Sequence, residues 1–88
     1  MLRTERIHFA RVNPMLADPF HSMYTWKTPE GDGYKITKRY PGSQWQITAD
    51  DDRTLTRMDV AIGVPHRYCR TLADVRQTFA EAHQAVTP

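Results

Sequence analysis

His66 and Cys69 come closest in this sequence to a reactive pair, a base three residues ahead of a thiol. An imidazole activates a thiol only within hydrogen-bond reach, and in an extended chain residues i and i+3 face opposite sides. A structural zinc site needs further ligands at set spacings, whereas His8, His21 and His83 are scattered. Asp50, Asp51 and Asp52 supply three carboxylates, but adjacent residues of a short turn diverge and the regular oxygen spacing of a calcium loop is missing. Gly31-Asp32-Gly33 has no helix behind it, so it reads as a turn and not as a phosphate cradle. The expectation is a protein without catalytic residues, metal or cofactor.

Binding is the chemistry the remaining residues offer. Lys35, Arg39, Gln44, Gln46 and Arg57 fall at alternate positions of segments with strand character. Arg, Lys and Gln are the side chains that bond base edges, and a two- or three-stranded sheet fits the major groove of duplex DNA. The same pattern also describes the solvated side of a half-buried antiparallel sheet, or a surface that meets a protein. The aromatic run Tyr24, Trp26, Tyr34, Tyr40 and Trp45 could stack on single-stranded nucleic acid. Parity instead places it with Ile36, Ile47, Met58, Val60 and Ile62, as core. Met15, Leu16 and Phe20 are apolar without a period, and are expected to wrap the sheet or to dock on a second subunit, making a homodimer.

The elements that would position these residues can be read from periodicity and turn chemistry. Tyr34 to Tyr40 and Gln44 to Ala49 flank Pro41-Gly42-Ser43, which combines a preset φ with a glycine that accepts φ > 0, so the pair reads as a hairpin. Met23 to Thr28 reads as a strand joined to it through Pro29 to Gly33, and Thr54 to Val64 as a further strand with Met58, Val60, Ile62 and Val64 on one side. A free edge is expected at one of these two strands. Thr71 and Asp74 suit a helix start, and Leu72, Val75, Phe79, Ala82 and Val86 recur every three or four residues, which predicts a helix over 71–86. The first 22 residues read as a short strand or arm followed by a loop, and residues 23–88 as one domain.

The predicted class is α+β: an antiparallel sheet of three to five strands packed on one C-terminal amphipathic helix. A chain of 88 residues has room for one core. The net charge of +2 is low for a non-specific DNA binder, whose affinity comes from cations that displace counterions. One cysteine leaves no intramolecular disulfide and suits a reducing compartment, so the cytoplasm is expected; no apolar run is long enough for a membrane span.

The hairpin Tyr34–Thr48 followed by the Thr71-Leu72-Ala73-Asp74 helix start resembles the small sheet-plus-helix proteins of actinobacterial phages and mobile elements. More loosely, it is similar to the arm-type DNA-binding domain of tyrosine recombinases, in which a three-stranded sheet on a helix enters the major groove. That second resemblance implies a DNA-facing role for Lys35, Arg39 and Gln46, and the chain departs from it in the acidic run Asp50–Asp52. The sequence therefore leads to a small non-enzymatic interaction protein, a phage or mobile-element modulator that binds a host protein, with a duplex-DNA-binding module as the alternative.

Overall fold

The computed structural model describes residues 2–12, 20–50 and 53–87. The strands β1 (Ala10–Val12), β2 (Ser22–Lys27), β3 (Gly33–Lys38), β4 (Trp45–Ala49) and β5 (Arg67–Cys69) form one antiparallel sheet in the order β1-β2-β3-β4-β5. Neighbours in sequence are thus neighbours in space. Two helices, α1 (Arg57–Ile62) and α2 (Leu72–Val86), and a 3-10 turn at Thr4–Arg6 are the other regular elements among the described residues.

Both predicted hairpins form, each for the expected reason. Between β2 and β3, Thr28 N–H donates to Asp32 O, and Gly31 closes the loop at φ +100°. Between β3 and β4, Ser43 N–H donates to Tyr40 O across Pro41-Gly42, with Gly42 at φ +88° as a type II turn requires.

The segment from Thr54 to Val64 departs from its predicted strand. Thr56 caps a short helix: Asp59 N–H donates to Thr56 Oγ1 and Thr56 N–H donates to the Asp59 carboxylate, a complete capping box. Gly63 at φ +97° then ends the helix in the left-handed region. Helical spacing turns Met58 and Ile62 inward together and leaves Val60 76% exposed. The fifth strand is consequently Arg67–Cys69. The predicted free edge moves with it, since β2 lies inside the sheet and the outer strands are β1 and β5.

The core fills one side of the sheet. Trp26, Tyr34, Ile36, Trp45 and Ile47 face Val75, Phe79 and Ala82 of α2, with Met58 and Ile62 of α1 and with Ile7. Phe79 is the centre of the aromatic packing, with its ring 4.5 Å from Trp26, 5.2 Å from Tyr34 and 6.0 Å from Phe9 between centroids. The α2 stripe is as predicted, and Asp74 N–H donates to Thr71 Oγ1 at 3.1 Å to start it. Tyr40 leaves its predicted place: β3 ends at Lys38, so the tyrosine belongs to the turn and is 61% exposed.

Candidate functional site

Strand alternation makes the second side of the sheet the polar one, and no described helix lies on it. One row crosses all five strands, with Val12 opposite Met23, then Thr37, Gln46 and Tyr68. A second crosses four, through Ala10, Thr25, Lys35 and Thr48. These side chains are mostly half-buried, as on a sheet face open to solvent.

Two shallow depressions occupy the ends of this face. One, about 660 Å³, lies over β3, β4 and β5. Its floor is Thr37 and Gln46, and its rim is Arg39, Tyr40, Gln44, His66 and Tyr68, with Phe20 at one side. Tyr40 and Tyr68 are 61% and 52% exposed, so two aromatic rings stand at the rim. Gln46 Nε2 donates to Pro65 O at 3.3 Å, which orients its amide on the floor. The other depression, about 530 Å³, includes Arg6, His8, Lys27 and Asp50. There the Asp50 carboxylate lies over Gly33, where an added Cβ would come within 1.9 Å of Oδ2.

The sequence-predicted binding residues divide accordingly. Lys35, Arg39, Gln44 and Gln46 come together on the open face or its rim. Arg57 does not. It is the first residue of α1, in the helical layer, beside Glu30, Asp32 and Val86. Phe20 reaches the depression, whereas Met15 and Leu16 lie outside the described residues. Tyr68 and His66 also line this depression, and the sequence does not place them there, because the alternation from Thr54 to Val64 reads as the last strand of the sheet. The β-prone triplet Arg67-Tyr68-Cys69 after Pro65 was the signal available.

A charged cluster lies in the core rather than on this surface. Asp59 has no exposed surface, and Arg53 grips it with Nη1 to Oδ2 at 2.7 Å and Nη2 to Oδ1 at 2.8 Å. Tyr34 Oη donates to Asp59 Oδ1, and Arg53 also donates to Gly33 O while its guanidinium covers the Tyr34 ring at 4.9 Å. Burial pushes the Asp59 carboxyl up, but the hydrogen bonds from Arg53, Tyr34 and Thr56 N–H outweigh it and hold the group down to about 2. Burial and the Asp59 contact push the Tyr34 phenol up, and the hydrogen bond to Asp59 raises Arg53. Each group is satisfied by the others, so the cluster ties α1 to β3 and presents nothing to a ligand.

His83, buried on α2, makes a similar tie. Its Nε2 lies 2.8 Å from Glu30 Oε1 in the β2–β3 loop, and this hydrogen bond holds Glu30 below its ordinary value. Cys69 is buried against Thr78, with 3.7 Å between Sγ and Oγ1, while His66 is exposed at the rim. Among the described residues no three His, Cys, Asp or Glu side chains gather as metal ligands, and no helix is long and apolar enough to cross a membrane. No family model, curated protein or solved structure matches the chain.

Proposed function

We propose that this chain is a small non-enzymatic interaction protein that works by occupying the surface of another protein with its open sheet face. The observation that carries the reading is the depression over β3, β4 and β5. Tyr40, Tyr68 and Arg39 surround a floor whose Gln46 amide is already oriented. Tyrosine and arginine anchor protein interfaces because each combines a broad apolar or planar surface with a polar tip. The β-edges, at three residues each, offer less surface than the face.

A phage or mobile-element modulator of a host protein, acting in the cytoplasm, is the biological form of this reading. The resemblance of Tyr34–Thr48 and the Thr71 helix start suggests the first part, and the lone buried Cys69 suits the second. Duplex DNA is the competing ligand, favoured by Arg39 and Gln44 on one rim. With Arg57 in the helical layer, its basic set is smaller than the sequence implied.

Capture from host lysate by immobilised protein, with and without nuclease, separates the two. The expected result is a discrete, nuclease-resistant partner that the Arg39→Glu/Tyr40→Ala/Tyr68→Ala variant no longer retains. Recovery of DNA alone, or of a partner that the triple variant retains equally, would overturn the protein-binding reading.

A further inference from the structure

The backbone of β5 has a neighbour on one side only among the described strands. Hydrogen-bond phase decides which groups its free side offers. Asp50 N–H donates to Gly33 O, so residues 46, 48 and 50 point their backbone groups toward β3, and 45, 47 and 49 point theirs toward β5. Trp45 is opposite Cys69 and Ile47 opposite Arg67, so Arg67 and Cys69 exchange bonds with β4. Tyr68 N–H and C=O therefore point away from the sheet.

Cationic side chains surround this outward pair. Arg67 and Arg70 are exposed on either side of Tyr68, with exposed His66 before them. Neither arginine is in an ion pair among the described residues. The nearest acidic residue along the chain is Asp74, engaged in the first turn of α2, where it complements the helix terminus.

A second copy of the chain is a poor occupant of the edge. Antiparallel pairing of β5 with itself about Tyr68 sets Arg67 of each copy opposite Cys69 of the other, which makes the two Arg67 residues diagonal neighbours, with an Arg70 at either end of the same short ladder. Gathering four arginines along so short a ladder, with no carboxylate between them, is destabilising. A strand carrying carboxylates reverses that sign.

We propose that the β5 edge takes an acidic, extended segment of a partner protein as a sixth strand. Main-chain bonds to Tyr68 N–H and C=O set its place, and Arg67 and Arg70 meet its carboxylates. The inference rests on the protein-binding reading of the adjacent face and supplies the chemistry of the partner.

The test is fluorescence anisotropy of a labelled extended peptide of repeated Glu-Glu-Thr-Thr, which carries carboxylates on both faces of the added strand, titrated with the full chain. Saturable binding is expected, at least tenfold weaker for Arg67→Glu/Arg70→Glu and unchanged for Arg11→Glu on the opposite edge. The same peptide N-methylated at every residue, added to the unaltered protein, should also bind at least tenfold more weakly, since it keeps the charge and loses the ladder on both of its edges. Equal binding of the N-methylated peptide, indifference to the β5 charge reversal, or preference for duplex DNA over the peptide would overturn the proposal. If a captured partner is lost by the Arg39/Tyr40/Tyr68 variant yet retained by Arg67→Glu/Arg70→Glu, strand addition fails and the face reading survives.

Discussion

Asp59 is a carboxylate with no exposed surface, and it remains ionised in the core only because Arg53, Tyr34 and the Thr56 N–H all donate to it. Replacing it with Asn keeps the shape but leaves Arg53 as an unmatched, mostly buried charge, which should destabilise the fold by roughly 3 kcal/mol. Tyr34→Phe removes one donor of several, so a smaller loss of about 1.5–2 kcal/mol is expected. Urea titrations of the two variants check the ranking. The acid limb follows from the same group. Its folded value of about 2 is depressed from 3.8, so the stability it contributes is fully present above pH 4 and is lost as pH falls toward 2. Stability measured from pH 5 to 2 should fall less steeply in Asp59→Asn than in the unaltered protein.

At the scale of elements, α1 is where two patterns in one segment compete. Met58, Val60, Ile62 and Val64 alternate as in a strand, yet Thr56 and Asp59 carry a capping box and Gly63 a helix stop. The helix prevails because it lets Asp59 take the Thr56 N–H and Arg53 together with Tyr34, which is 25 residues away along the chain, a demand that no local period reveals. Val60→Lys should therefore change stability by less than about 0.5 kcal/mol, whereas Ile62→Ala should cost about 2–4 kcal/mol and Thr56→Ala about 1 kcal/mol. Thermal melts of the three distinguish a helix from a strand, in which positions 60 and 62 would respond alike. Where turn chemistry and period agreed, as around Pro41-Gly42 and along α2, the fold was legible in the sequence. The candidate site was half legible. Parity placed Lys35, Arg39 and Gln46 on one face, but Tyr68 and His66 belong to it only because α1 ends early and returns the chain as β5.

In the whole molecule, the two faces of one sheet differ in packing, since the described helices, Ile7 and the aromatic cluster all lie on one side. Phe79 links that side together by meeting rings from β2, β3 and the N-terminal segment. Its truncation to Ala should cost about 3–5 kcal/mol, a large share of the roughly 5–15 kcal/mol that keeps a domain folded. Tyr68, half-exposed at the edge of the other face, supports no comparable packing, and Tyr68→Ala should stay within about 0.5 kcal/mol. Urea unfolding of both variants, with the slope against denaturant unchanged, is the check. A large loss at Tyr68 would mean that the open face is part of the core that holds the sheet, and would count against its proposed role as a binding surface. The expected contrast leaves the face free to vary in sequence while Phe79 and its neighbours keep the sheet in register beneath it.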